Sequence, residues 1–250
     1  MTAKPSRKRL DALLVERSLA DSLQKASAMI LAGEVRVDGA RADKAGLRFP
    51  EEARIEVNSR AEKYASRGGI KLEGALADFR IDPQDRVCLD VGASTGGFTD
   101  CLLQHGAARV YALDVNVDQL DWKLHRDQRV IPVKRNARNL RSKDIPEPVD
   151  LIVADVSFIS VSKVLAPAAG VAKGGADLLI LVKPQFELPR EDVRPGGIVS
   201  DTTLHQKAIA AVRNAAIAAA LEVLGVHASR LPGAEGNQEY FLHARKKLLE

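Results

Sequence analysis

The sequence predicts an α/β protein, a doubly wound and largely parallel sheet preceded by a small α+β module. Three observations carry this. From residue 86 onward, short runs rich in Val, Ile and Leu alternate with helical segments. Strands covered on both faces by crossover helices have that pattern. Residues 7–59 have another rhythm, two short helical patterns followed by alternating strands. Between them, residues 60–70 are polar and carry the pair Gly68-Gly69, a linker composition. The 250 residues suit one large domain or two modest ones, 1–59 and 71–250. With 28% charged and 46% hydrophobic residues, the chain is neither disordered, collagen-like nor multi-span. Its two cysteines, Cys88 and Cys101, are too few for a disulfide scaffold or a Cys-rich zinc site, and both fall in apolar runs expected to be core. The N-terminus is basic but lacks the apolar run of a signal peptide. No uninterrupted apolar stretch of about 18 residues occurs, so a cytoplasmic protein without membrane contact is expected.

In the small module, Leu10, Leu13, Leu14 and Val15 recur at helical spacing behind the basic cluster Arg7, Lys8, Arg9. A second helix is expected over 21–32, capped by Asp21 or Ser22, striped by Ala26, Met29, Ile30 and Leu31, and ended by Gly33. Val35 and Val37 alternate into an Asp38-Gly39 turn, a hairpin signal, and Ile55 and Val57 read as the closing strand.

In the large domain the strand candidates are 87–91, 110–115, 130–133, 149–156 and 177–183, with helices at 97–105, 116–126 and 160–172. An Ala-rich helix (201–221) precedes two final strands, read as an antiparallel pair. The first strand runs into Asp90-Val91-Gly92-Ala93-Ser94-Thr95-Gly96-Gly97-Phe98. Glycines there let the backbone approach a ligand, and the following helix start offers free N–H groups. About 20 residues on, the second strand ends at Asp114, where a carboxylate accepts both ribose hydroxyls of a nucleoside cofactor. NAD enzymes and S-adenosylmethionine methyltransferases share that pair. Gly92-Ala93-Ser94-Thr95-Gly96 also matches the G-x-S-x-G elbow of hydrolases, but there the serine follows several strands of its own sheet.

Asp155 ends the fourth strand and Lys183 follows the fifth, at the carboxyl ends where doubly wound sheets bind ligands. From spacing alone this is a salt bridge or a catalytic pair. Glu239 precedes the last strand. Eight basic residues with only Asp127 opposing lie between Lys123 and Lys143, either a solvated face or a phosphate-binding rim. The single tryptophan, Trp122, is expected to pack rather than stack on a base. The five histidines show no metal spacing.

Together these residues resemble a known family. Arg9-Leu10-Asp11, Lys25-Ala26 and Ala32-Gly33-Glu34-Val35-Arg36-Val37-Asp38-Gly39 resemble the RNA-binding fold shared with small-subunit ribosomal protein four. Lys63-Tyr64-Ala65-Ser66-Arg67-Gly68-Gly69, followed by Lys71-Leu72 and Ala75-Leu76, resembles the junction of the TlyA ribosomal RNA methyltransferases, often labelled hemolysin A. The large domain resembles their FtsJ-type, Rossmann-like fold. The glycine-rich motif, Ala154-Asp155-Val156-Ser157-Phe158-Ile159, Val182-Lys183-Pro184-Gln185-Phe186-Glu187, Pro195-Gly196-Gly197 and Gly236-Asn237-Gln238-Glu239-Tyr240 all match. One departure is Leu23, where the RNA module often carries a basic residue.

The resemblance implies methyl transfer from S-adenosylmethionine to a ribose 2′-hydroxyl, on cytidines of ribosomal RNA or ribosomal subunits. It implies a catalytic set of Lys71, Asp155, Lys183 and Glu239, with no metal. Cofactor contacts fall to Asp90, Gly92, Ser94, Thr95, Gly96, Gly97, Phe98 and Asp114. RNA contacts fall to Arg7, Lys8, Arg9, Lys25, Arg36, Arg67, Arg135 and Arg138. Lys183 is the candidate to accept the hydroxyl proton or stabilise the oxyanion. Acting as a base requires a lowered pKa, which a neighbouring Lys71 or burial would give. The rival classes are an NAD oxidoreductase, a pore-forming haemolysin and a non-catalytic RNA-binding protein. The charge distribution adds one point. Residues 1–80 hold 16 basic and 12 acidic residues, whereas residues 81–250 hold 21 of each, so the net +4 belongs to the small module and linker.

Overall fold

The computed structural model describes residues 7–20, 22–31, 35–42, 44–57, 63–194, 196–233 and 236–248. Asp21, Gly33, Pro195 and the first residues of the expected linker lie outside them. The chain divides into two compact units, residues 1–62 and 63–250.

In the small unit, β1 (Arg7–Arg9) pairs antiparallel with β4 (Arg48–Pro50). The basic cluster is therefore a strand, not merely a lead-in to the helix. Helices α1 (Leu10–Glu16) and α2 (Leu23–Leu31) follow. Ser22 caps α2, its Oγ accepting the Lys25 N–H at 3.2 Å. The apolar stripes meet, and Leu10, Leu14, Ala26 and Ile30 are fully buried. Strands β2 (Val35–Val37) and β3 (Ala40–Arg41) form the expected hairpin. Asp38 (φ +50°) and Gly39 (φ +81°) both adopt the left-handed region that a two-residue turn of this kind requires. Strand β5 (Ile55–Val57) pairs with the other edge of β2.

The large unit begins before the first residue expected of it. Tyr64 is 2% exposed and lies against Gly69 so closely that a side chain there would overlap the ring. The Ala65 N–H donates to Asp100 Oδ2 (2.8 Å), and Gln104 Nε2 donates to the Lys63 carbonyl (2.7 Å). Helix α3 (Gly68–Phe79) then starts within the expected linker. Polar composition hid a single aromatic anchor that ties residues 63–70 to this unit.

A seven-stranded sheet follows. It comprises β6 (Val87–Val91), β7 (Arg109–Asp114), β8 (Val130–Lys134), β9 (Val149–Ala154), β10 (Ala172–Val182), β11 (Leu221–Ala228) and β12 (Tyr240–Lys246). Their order is β11-β12-β10-β9-β6-β7-β8, with β12 antiparallel to β10 and β11 to β12. Pro132 is confined to the edge strand β8, as its missing N–H requires. Helices α4 (Gly97–Gln104), α5 (Trp122–Arg126), α6 (Ser162–Val171), α7 (Pro184–Glu187) and α8 (Thr202–Ala218) complete the unit. Strand alternation feeds two cores. Leu178, Ile180 and Val182 enter one, while Leu179, Leu181 and Phe241 enter the other. Burial pushes the thiols of Cys88 and Cys101 up to about 12, as befits small core residues.

One side chain departs from expectation. On and just before α5 it is Leu120 and Leu124 that are buried, so Trp122 stands on the opposite face, 59% exposed.

Candidate active site

The site lies where the strand order reverses, at the carboxyl ends of β6 and β9. The chain leaves β6 through Gly92 (φ +89°), whose α-carbon approaches the Asp155 carbonyl too closely for any β-carbon. The Asp155 N–H in turn donates to the Val91 carbonyl at 2.9 Å. This seats the glycine turn directly on the end of β9. The turn is closed by Ser94, whose N–H donates to Asp114 Oδ2 (3.0 Å), while Oδ1 accepts the Asn116 N–H (3.0 Å). Gly92, Ser94 and Asp114 line a cleft of about 450 Å³, together with Gln119, Arg135, Asn136 and Arg138.

A second cleft of about 350 Å³ shares Gly92, Ser94, Asp155 and Ser157 with the first. Lys71, Asp155, Lys183 and Glu239 all line it, with Thr95, Gly97, Phe98 and Arg67. The antiparallel register explains why a residue near the C-terminus reaches this place: Val182 faces Tyr240, which sets Glu239 beside Lys183 at the strand end. The four groups form two ion pairs. Lys71 Nζ donates to Glu239 Oε2 at 2.6 Å, with side chains 12% and 3% exposed. Lys183 Nζ lies 2.5 Å from Asp155 Oδ1, without hydrogen-bond alignment, and donates to Ser157 Oγ at 2.9 Å. Asp155 Oδ1 thus keeps an unused acceptor direction although buried.

Surrounding polar groups fix these loops. Glu187, after β10, accepts from Ser160 Oγ (2.6 Å) and the Val161 N–H (2.8 Å), which ties the loop after Lys183 to the loop after Asp155. Burial raises its carboxyl above the usual range. Asn237 is 1% exposed; its Oδ1 accepts the Val199 N–H (2.8 Å) and its Nδ2 donates to the Gly197 carbonyl (2.8 Å). His205 bridges the Val199 carbonyl (2.8 Å) and the Tyr240 hydroxyl (2.9 Å). Asn237, two residues before Glu239, and Tyr240, directly after it, are therefore clamped to one loop.

The remaining expected residues fall as follows. Asp90 is fully buried, lines neither cleft, and accepts the Thr99 hydroxyl at 2.7 Å. Burial pushes its carboxyl up to about 7. It braces the turn from behind. Gly96 (φ +95°) also lines neither cleft and sits tightly against Leu124. Arg135 pairs with Asp144 (2.6 Å) at the rim of the first cleft. In the small unit, Arg9 pairs with Asp11 (2.6 Å), Lys8 with Glu16 (2.7 Å) and Arg36 with the Gly39 carbonyl (3.1 Å), whereas Arg7 donates to the Arg48 carbonyl (2.9 Å). Lys25 is exposed. Ser157 and the Asn237–His205 clamp escaped the sequence reading. Ser157 stands inside a quoted motif, but the clamp joins residues 32 positions apart and has no local signal. Phe158, in the same motif as Ser157, lines the first cleft, 89% exposed at φ +65°; its ring lies 5.6 Å from that of Phe186.

Among the described residues no group of His, Cys, Asp and Glu could hold a metal ion, and no helix is long and apolar enough to cross a membrane.

The large unit matches the FtsJ-like methyltransferase model over residues 64–246, and the small unit matches the S4 domain over residues 8–55. The chain is 47% identical over 241 residues to the 16S/23S rRNA (cytidine-2′-O)-methyltransferase TlyA of Mycobacterium tuberculosis, covering 96% of this chain and 90% of that one. It is 40% identical over 238 residues to the Hemolysin A of Brachyspira hyodysenteriae, covering 94% and 98%. A solved structure from Streptococcus thermophilus superposes with a TM-score of 0.76 at 37% identity, covering 98% of this chain and 90% of that one.

Proposed function

The chain belongs to the FtsJ-like methyltransferase family, in its TlyA branch, and we propose that it transfers a methyl group from S-adenosylmethionine to the ribose 2′-hydroxyl of a cytidine in ribosomal RNA. The observation that carries the reading is the pair of ion pairs, Lys71–Glu239 and Lys183–Asp155, lining a cleft that shares its wall with the glycine-turn cleft.

The first cleft fits the cofactor. Its about 450 Å³ lies within the range of small-molecule sites, and Asp114 retains lone pairs for ribose hydroxyls beside the two it gives to backbone N–H groups. Gly92 and Ser94 leave the turn open for close approach. S-adenosylmethionine brings an already activated methyl group, so the protein chiefly positions and handles one proton.

In the second cleft, Lys183 is held between Asp155 and Ser157; as an ammonium it would stabilise charge developing on the 2′-oxygen, and only in its neutral form would it accept the hydroxyl proton. Asp155 orients Lys183. Glu239 fixes Lys71 in the same cleft, and Lys71 adds positive potential where negative charge forms. Arg67 is exposed at the same cleft and suits a flanking phosphate. The S4 unit supplies further cations for the RNA backbone, which fix register but not sequence.

The test is transfer of labelled methyl from S-adenosylmethionine to ribosomal subunits and to protein-free ribosomal RNA, followed by mapping of ribose methylation. Label on a cytidine ribose is the expected result. Label on a base, or none on either substrate, overturns the reading.

A further inference from the structure

The single tryptophan of the chain stands in solvent beside the active cleft, and nothing in the mechanism uses it. Helix α5 has two faces. Leu124 and the preceding Leu120 are 5% exposed and pack inward, whereas Trp122 is 59% exposed. Two cations flank the indole. Arg126 Cζ lies 5.3 Å and Lys123 Nζ 6.0 Å from its centroid. Neither has a carboxylate partner among the described residues, in contrast to Arg129 with Asp127 or Arg135 with Asp144 nearby. An exposed indole with two unneutralised cations offers a π-face for a base together with positive charge for its phosphate.

The helix is fastened to the cleft wall. The Asp121 N–H donates to the Thr95 carbonyl (3.1 Å), and Asp121 Oδ1 accepts the Lys123 N–H (2.9 Å) as N-cap. Leu124 packs against Gly96 so tightly that no side chain fits at that glycine. Thr95 itself lines the cleft that holds Lys71 and Lys183. The indole is thus mounted, through rigid contacts, on the wall of the cleft where the ribose would react.

We infer that Trp122, Lys123 and Arg126 form a stacking platform for an unpaired nucleotide of the RNA substrate that neighbours the methylated one. The inference rests on the RNA methyltransferase reading above. An aromatic face flanked by cations is the arrangement proteins use for single-stranded nucleic acid, because every base has a π-face and every nucleotide a phosphate. The charge favours RNA over an apolar protein partner, which would leave both cations desolvated and unpaired. The platform is sequence-tolerant. It would hold the strand and keep the target ribose in the cleft, while the tetrad performs the transfer.

Because Trp122 is the only tryptophan, indole emission of the intact chain reports this one site. Three measurements on the full chain test the platform: emission during titration with a single-stranded cytidine-rich RNA, emission with S-adenosylmethionine alone, and methyl-transfer kinetics of Trp122→Ala and Trp122→Phe on ribosomal subunits and protein-free ribosomal RNA. The platform predicts saturable quenching by RNA and none by the cofactor. It predicts a KM for RNA raised on the order of tenfold in Trp122→Ala, largely restored in Trp122→Phe, with the KM for S-adenosylmethionine unchanged. Unquenched emission together with a normal RNA KM in Trp122→Ala overturns it. So does a defect confined to assembled subunits without quenching by RNA, which would assign the face to a ribosomal protein. Absence of any methyl transfer by the unaltered chain would refute the RNA methyltransferase reading instead, and quenching would still decide the platform.

Discussion

The lysines of the cleft and the basic residues of the S4 unit are the same chemistry in two settings. Lys71 and Lys183 are nearly buried and each is held by an acid contributed by another element. Arg7, Lys8, Arg9 and Arg36 lie at the surface of a small unit, and their partners are near neighbours or backbone carbonyls. Exposed pairs are worth roughly 0–1 kcal/mol each and exchange readily with phosphates. Breaking a buried pair by removing one partner costs about 3–5 kcal/mol, because a charge is stranded. In the proposed function one region would therefore grip RNA by the sum of many weak contacts, and the other would act through a few groups that tolerate no loss.

The largest expected effect lies at the buried pair. Glu239→Ala strands Lys71 and is predicted to lower stability by about 3–5 kcal/mol, read by denaturant unfolding. Glu239→Gln, which keeps a hydrogen-bond acceptor, should recover much of that loss. A cost under about 1 kcal/mol for Glu239→Ala would place this pair with the surface ones and erase the contrast.

The buried carboxyl of Asp90 sharpens the contrast through pH. Its ordinary value is 3.8 and burial pushes it up to about 7. In that window the folded state binds more protons than the unfolded one, so this group's contribution to stability is full below about pH 4 and declines as pH rises toward 7. Asp90→Asn keeps an acceptor for Thr99 and removes the titration. The stability difference between variant and parent should therefore grow by a few kcal/mol at most from pH 4 to pH 7. A difference independent of pH would contradict the burial argument.

Asp114→Ala removes the acceptor at the first cleft and the anchor of the Ser94 N–H. Affinity for S-adenosylmethionine should fall on the order of tenfold by calorimetry, consistent with losing hydrogen bonds to a charged acceptor. The smallest effect belongs to the S4 unit. Lys25→Ala should change RNA affinity only a few-fold, but reduce the slope of log affinity against log salt by about one contact's worth, roughly 0.7–0.9. An unchanged slope would remove Lys25 from the RNA face.

The strands of the large unit were legible because fully buried strands are continuous apolar runs, and the glycine turn because Gly92 has no substitute against the Asp155 carbonyl. The resemblance named Lys71, Asp155, Lys183 and Glu239, and the fold brings them to one cleft. What the residue pattern hid is tertiary. Tyr64 anchors a segment that reads as linker, and Asp90 turns inward to Thr99 although its motif suggested a ligand contact. The clamp of Asn237 and His205 on residues 197–199 exists only once α8 and β12 are packed. The residue pattern favours packing over base stacking for Trp122; the five-residue helix has room for only one buried face, and Leu124 fills it.

In the proposed reaction Lys183 acts on the ribose hydroxyl and not on the cofactor. The direct measurement is Lys183→Ala assayed twice, for S-adenosylmethionine affinity by calorimetry and for methyl transfer to ribosomal RNA at saturating cofactor. Affinity within about twofold of the parent and transfer reduced at least about a hundredfold are expected. Transfer that survives at near-parental rate, or affinity and transfer lost in equal measure, would contradict it.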